Sequence, residues 1–202
     1  MRQLLAVLVV TVAGCPAEHL EFLDAPVVNH HDAPAQAIDS ATATCTVATS
    51  LGTVAPLAQM AQDDVDPPNS LVYTAGLNAD ALPDGLAIQL SSGFGAFKTM
   101  RIGPGTFPLS GDESSMVSCG ICMRIRSNID SHDSAEAVYM PLSGSMTITS
   151  VSGNFTGTLT NVLFRQVDID GANLMTTDSP SHCKATIGSL AFDKAITVNS
   201  AP

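Results

Sequence analysis

The chain has 202 residues, enough for one domain with a sizeable core, and 8 Lys and Arg against 19 Asp and Glu give it a formal net charge of −11 at pH 7. This acidity argues against nucleic acid or anionic lipid surfaces as partners. Trp is absent and aromatic residues make up 4% of the chain, which argues against sugar recognition through stacked rings.

Residues 1–14 predict a lipoprotein signal peptide. A positively charged start precedes an apolar run, Leu4–Val12, that is too short to span a bilayer. Val12-Ala13-Gly14-Cys15 resembles the bacterial lipobox, in which the cysteine receives acyl chains such as palmitate. Cys15 is therefore the predicted lipidation site and anchors the protein in the cell envelope, with Pro16 favouring the outer over the inner membrane. The alternative is an ordinary secretory signal in which Cys15 is incidental.

Residues 15–42 are predicted to form a flexible tether between the lipid and a domain spanning residues 43–202. The segment is rich in Ala, Pro, Asp and His and has no sustained apolar period. It contains His30 and His31, whose imidazoles could bind zinc or copper. Neighbouring ligands on a mobile chain give a poor fixed geometry, which favours an ordinary solvated linker.

Short strand patterns separated by turn signals follow the tether in chain order. The predicted strands before the central region are Cys45–Thr49, Leu71–Ala75, Leu86–Leu90, Phe97–Ile102, Met123–Arg126 and Ala137–Leu142, with a short helix over Pro56–Gln62.

Residues 145–170 carry the clearest strand pattern. Residues 146–151 alternate apolar side chains with threonine, and residues 152–154 have turn chemistry because Gly and Asn tolerate a positive φ. A second strand begins at Phe155. Its alternation changes phase after Asn161, which predicts a β-bulge or a strand break there.

A loop and a closing strand over Cys183–Phe192 complete the pattern. About ten short strands with almost no helical period predict an all-β fold. We expect a single antiparallel β-sandwich or jelly-roll-like domain after the signal peptide and tether.

Four cysteines follow Cys15 and are predicted to form two disulfides, because their number is even and the chain is predicted to be exported. They are Cys45, Cys119, Cys122 and Cys183, and three pairings are possible. One alternative is a thioredoxin-like redox pair at Cys119 and Cys122, which would require a helix after it. Another is a zinc site formed by Cys119, Cys122, Cys183 and His182.

Asp168 and Asp170 precede a glycine and resemble half of a calcium loop. No acidic residue stands where such a loop has its bidentate Glu, so a strand that ends in a turn is the preferred interpretation. No Gly-x-Ser-x-Gly motif occurs, and no catalytic residue, metal site or cofactor is predicted.

The chain from Cys119 to Phe192 resembles a family of lipoproteins of myxobacteria and their deltaproteobacterial relatives that combines a lipobox with a Cys-x-x-Cys β domain. The residues that carry this resemblance are Cys119-Gly-Ile-Cys122, Tyr139, Gly144, Met146-Thr-Ile-Thr-Ser-Val151, Phe155-Thr-Gly-Thr-Leu159, Asn161, Val162, Phe164, Val167-Asp-Ile169, Cys183 and Ser189-Leu-Ala-Phe192. The resemblance implies export and implies no particular activity.

These patterns favour a non-enzymatic, lipid-anchored protein of the cell envelope with a structural or binding role. Its predicted partner is the membrane, reached through the lipid on Cys15, and nucleic acid is not expected. The alternative is a binding module for a small ligand or a metal ion such as calcium or zinc. A hydrolase with a site assembled from scattered residues is a third hypothesis.

Overall fold

A computed structural model describes residues 45–63 and 69–198 of the chain. Within these ranges the chain forms two 3-10 helices, Gly95–Phe97 and Gly111–Ser114. The strands are β1 (Ser50–Val54), β2 (Leu57–Asp63), β3 (Ser70–Gly76), β4 (Gly85–Ser91), β5 (Gly105–Pro108), β6 (Ile121–Ser127), β7 (Ala137–Ser152), β8 (Asn154–Ile169), β9 (Thr176–Asp178) and β10 (Lys184–Val198).

Seven of the described strands close into a barrel in the order β2-β3-β4-β6-β7-β8-β10. The ring closes because β10, which is 15 residues long, pairs with two other strands of the ring. It runs antiparallel to β8 from Lys184 to Ala195 and parallel to β2 from Ile196 to Val198. β1 pairs with β10, β5 with β7 and β9 with β8 in addition to the ring.

The predicted all-β class is confirmed, but the structure shows a barrel rather than the predicted β-sandwich or jelly-roll-like domain. The prediction of purely antiparallel pairing was also wrong, because β1 and β2 both run parallel to β10. Alternating inward and outward side chains occur in sandwiches and barrels alike, so the sequence pattern does not separate the two architectures.

The central hairpin is confirmed, and its strands are longer than predicted. β7 and β8 have 16 residues each and meet at Gly153, where Ser152 pairs with Asn154. β7 joins the separately predicted strands Ala137–Leu142 and 146–151 into one. This hairpin therefore supplies two adjacent strands of the barrel.

The predicted bulge near Asn161 is also confirmed. Asn161 has φ +50°, and Asn161 and Val162 of β8 together lie opposite Gly144 of β7. A Cβ atom on Gly144 would lie 2.6 Å from the Val162 Cα, so the bulge requires glycine in the partner strand. The extra residue lets both Leu159 and Val162 point into the core, where both are 0% exposed.

The predicted strand Cys45–Thr49 was wrong, because these residues form no strand. Val47 is buried in the core, and the Thr46 hydroxyl lies 2.8 Å from the Ser127 Oγ and 3.2 Å from the Tyr139 hydroxyl. Ser127 ends β6 and Tyr139 lies near the start of β7. The segment is thus held at one end of the barrel by side chains, and at its last residue the Thr49 carbonyl accepts a hydrogen bond from the Thr186 N–H at 3.0 Å.

The predicted helix over Pro56–Gln62 was wrong, because the segment from Leu57 onward belongs to β2. Its Leu, Ala, Gln and Met residues are good helix formers, but pairing with β3 and β10 overrides that preference. The predicted strand Phe97–Ile102 was wrong as well. Phe97 ends a 3-10 helix and is buried against Phe107, with 5.1 Å between ring centroids.

No helix among the described residues has the length and hydrophobicity that a transmembrane span requires. The predicted signal peptide, Cys15 and the tether lie outside the described residues.

Candidate functional site

The four candidate cysteines form two disulfides, Cys45–Cys183 and Cys119–Cys122. The prediction of two disulfides is confirmed. The structure also shows which cysteines are bonded to each other, a choice that the sequence left open. Cys119 and Cys122 lead into β6 and not into a helix, so the arrangement lacks the helix N-terminus that stabilises a thioredoxin-like thiolate. With every one of these sulfurs in a disulfide, none is a thiolate ligand for zinc.

The acidic candidates lie at the end of β8 and in the turn that follows it. Asp168 and Asp170 are exposed, and the Asp170 carboxylate accepts a hydrogen bond from the Ala172 backbone N–H at 2.8 Å, as in a turn. His30 and His31 lie outside the described residues. In the two described ranges, no group of three or more His, Cys, Asp or Glu side chains is arranged to hold a metal ion.

Two buried carboxyls have structural partners. Asp84 accepts hydrogen bonds from the Asn128 backbone N–H and from the Asn78 amide, both at 3.0 Å, and burial raises the pKa of its carboxyl. Glu113 is 3% exposed and accepts from the backbone N–H groups of Ala96 at 2.6 Å and Ile121 at 2.5 Å. Glu113 therefore ties both 3-10 helices to the start of β6.

We expect Glu113→Gln to lower the free energy of unfolding by about 2 kcal/mol. A glutamine can accept one of the two N–H groups, but its NH2 then faces the other donor and leaves it unpaired. The backbone beside Ala96 has little room to move away from the unpaired NH2 group. It packs so closely on residue 113 that a Cβ atom at Gly95 would lie 2.1 Å from the Glu113 Oε1. Denaturant unfolding followed by circular dichroism measures the change. Glu136→Gln, the same change at an exposed position, is the control, and an equal effect of the two would contradict the role of Glu113.

A cleft of about 390 Å³ opens on the outside of the barrel where β8, β9 and β10 meet. We call it the basic cleft. Its lining residues are Leu142, Arg165, Gln166, Asp178, Ser179, His182, Cys183 and Lys184.

Strand register places the two basic side chains of the cleft side by side. Arg165 of β8 and Lys184 of β10 are directly opposite each other in the antiparallel pairing. Their neighbours Phe164 and Ala185 are 0% exposed and point into the core, so Arg165 and Lys184 point outward. Directly opposite residues on one face have Cβ atoms about 5 Å apart.

Among the residues that the structure describes, Asp178 of β9 is the only acidic one that lines the basic cleft. Its carboxylate forms an ion pair with Arg165, and the side chains are 61% and 21% exposed, respectively. The Arg165 Nη2 also approaches the Ser114 carbonyl at 3.4 Å. The buried Arg165 Nε has no hydrogen-bond partner among the described residues. Arg165 and Lys184 together exceed Asp178 by one positive charge.

The polar groups in and beside the basic cleft form hydrogen bonds with one another. The Ser181 hydroxyl donates to the Gln166 Oε1 at 2.7 Å, so this serine is held by an amide and not by His182. The Ser179 and Gln166 backbones are also joined, since the Ser179 N–H donates to the Gln166 carbonyl at 3.1 Å. These bonds fix the loop before β10, and the Cys45–Cys183 disulfide fixes its end.

A second cleft, of about 380 Å³, lies along β3 and β4. Its one basic side chain, Arg126, forms an ion pair with Asp133 at 3.0 Å, and the Asp84 carboxylate already accepts hydrogen bonds from Asn128 and Asn78. The basic cleft is therefore the stronger candidate for a site with its own ligand.

Sequence reasoning missed Arg165, Lys184 and Asp178 as site residues. Basic residues are rare in this acidic chain, and that rarity is a signal that could have directed attention to them. Only the register of β8 and β10 shows that Arg165 and Lys184 are neighbours. His182 was considered only as a zinc ligand. Comparison of the chain with protein-family models, with curated proteins and with solved structures found no match.

Proposed function

We propose that the protein is a non-enzymatic, lipid-anchored protein of the cell envelope whose β-domain is a binding module for a small ligand. The observation that carries the binding role is the basic cleft. It has a defined set of polar side chains, and its volume of about 390 Å³ lies in the range of small-molecule sites, roughly 300–1,000 Å³.

The lipid anchor is supported by the Leu4–Val12 apolar run that ends in the lipobox-like Val12-Ala13-Gly14-Cys15. The resemblance to myxobacterial lipoproteins supports it as well, and Pro16 after the cysteine favours the outer membrane. Two disulfides suit an exported protein, because disulfides persist in oxidising compartments. Acyl chains stabilise membrane attachment by about 0.8 kcal/mol for each buried methylene group.

The site lies close to the place where the chain enters the described domain. Cys45 is the first described residue, and its disulfide partner Cys183 lines the basic cleft. A ligand in the cleft would therefore lie near Cys45, which is bonded to the lining residue Cys183. This position suits a module that holds its ligand near its own point of attachment.

Cys15→Ser is expected to move the full-length protein from the membrane pellet to the soluble fraction of a bacterial host, because serine has no thiol to accept the lipid. Incorporation of labelled palmitate should disappear as well. Gly14→Ala is the matched control, since alanine keeps a small residue before the cysteine and should leave the protein in the pellet. A Cys15→Ser protein that pellets and labels like the original would contradict the anchor.

A further inference from the structure

We infer that the basic cleft binds a small molecule through an anionic group, a carboxylate or a phosphate. This inference rests on the proposed binding function and specifies the chemistry of its ligand. Carboxylates and phosphates both present oxyanions, and these accept charge-assisted hydrogen bonds from an ammonium and from a guanidinium.

The strand register brings two positive charges together. Like charges directly opposite each other in an antiparallel pair are destabilising, and Arg165 and Lys184 are such a pair. Of the cleft's lining residues only Asp178 is acidic, and it pairs with Arg165. An oxyanion between the guanidinium and the ammonium would offset the repulsion. The juxtaposition therefore favours a bound anion over an empty or neutral site.

The Arg165 guanidinium does not use all of its hydrogen-bond donors within the protein. A guanidinium has five N–H donors. One terminal nitrogen pairs with Asp178, the other has a 3.4 Å contact to the Ser114 carbonyl, and the Nε has no partner among the described residues. The Asp178 side chain is 61% exposed, so water competes for it and a ligand can displace it. Asp178 thus occupies the position that the anionic group of a ligand would take.

The net charge of −11 for the whole chain opposes the approach of anions. The opposition is weakest where positive side chains line a concave surface, because such clefts focus the local field. The uncharged residues that line the basic cleft differ in polarity. Leu142 is an exposed apolar residue, and Gln166 and Ser179 are polar. This composition suits a small organic anion with an apolar part.

The test is a titration of the isotope-labelled full-length protein in nonionic detergent, observed by NMR at constant ionic strength. The probes are inorganic phosphate, acetate and acetamide, the last being the neutral counterpart of acetate. We expect saturable shifts of the resonances of β8 and β10 around Arg165 and Lys184 with phosphate, with acetate or with both. Acetamide should give none at the same concentrations.

Two neighbouring substitutions should act in opposite directions. Lys184→Gln should weaken binding about tenfold, because it removes one charge-assisted hydrogen bond. Asp178→Asn should tighten binding several-fold, because it removes the competing carboxylate from Arg165. Lys194→Gln and Asp193→Asn are the controls. They make the same changes of charge at positions of β10 that do not line the basic cleft, and each should leave the affinity for the anion within twofold of the original protein.

Each outcome has a definite meaning. A response to phosphate alone or to acetate alone supports the inference and identifies the group. Equal binding of acetamide overturns the anionic preference but leaves the cleft as a binding site. No response to any of the three probes overturns both the inference and the binding role, and the lipid anchor is then judged by the Cys15→Ser experiment alone. Equal effects of Lys184→Gln and Lys194→Gln also overturn the inference.

Discussion

Replacing Cys45 and Cys183 together with alanine is expected to lower the free energy of unfolding by about 5 kcal/mol. The disulfide joins residues 138 positions apart, so its loss frees a very large loop in the unfolded chain. In the native state it also releases the segment that carries Thr46 and Val47 across the end of the barrel. Guanidinium unfolding of the oxidised proteins, followed by circular dichroism, measures the difference.

The Cys119–Cys122 disulfide is the matched control, because its sequence separation is 3. Replacing both of these buried cysteines with alanine also removes two sulfur atoms, while the loop-closure entropy accounts for only about 2 kcal/mol. We therefore expect the long-range pair to stabilise the protein more than twice as much. An equal or larger effect at Cys119 and Cys122 would show that loop closure does not dominate.

The hairpin of β7 and β8 was predictable because its information is local. Alternation over residues 146–151, turn residues at 152–154 and the phase change after Asn161 all lie within one short stretch. The predicted helix failed for a related reason. Over Pro56–Gln62 the local preference is helical, and the partners that impose a strand, β3 and the end of β10, come from distant parts of the chain.

Closure of the barrel and the basic cleft could not be predicted, since both depend on β10. The sequence predicted a strand over Cys183–Phe192, whereas β10 continues to Val198, and its last residues pair with β2. The same strand places Lys184 opposite Arg165. A shift of one residue would turn Lys184 toward the core, so the site exists only in this register. Composition and motif spacing contain no information about such a register.

Three aromatic side chains from three strands of the barrel pack together inside it. Phe155 of β8 stacks on Phe192 of β10 with ring centroids 4.6 Å apart, and Tyr73 of β3 lies 5.7 Å from Phe155 and 5.3 Å from Phe192. The three side chains are 0–2% exposed. The Tyr73 hydroxyl donates to the Gln59 Oε1 at 2.9 Å, and burial raises the pKa of this tyrosine. The cluster connects opposite walls of the barrel.

Phe155→Ala is therefore expected to lower the free energy of unfolding by about 4 kcal/mol, through lost burial and the cavity left beside Phe192 and Tyr73. Phe94→Ala is the control, because Phe94 is 54% exposed and its truncation should change stability by no more than about 0.5 kcal/mol. Thermal and denaturant unfolding of both variants measure the difference. If Phe155→Ala unfolds like the original protein, or no more easily than Phe94→Ala, the aromatic cluster does not hold the barrel walls together. A large difference would locate much of the stability at the contact between β8, β10 and β3, on which the register of the basic cleft also depends.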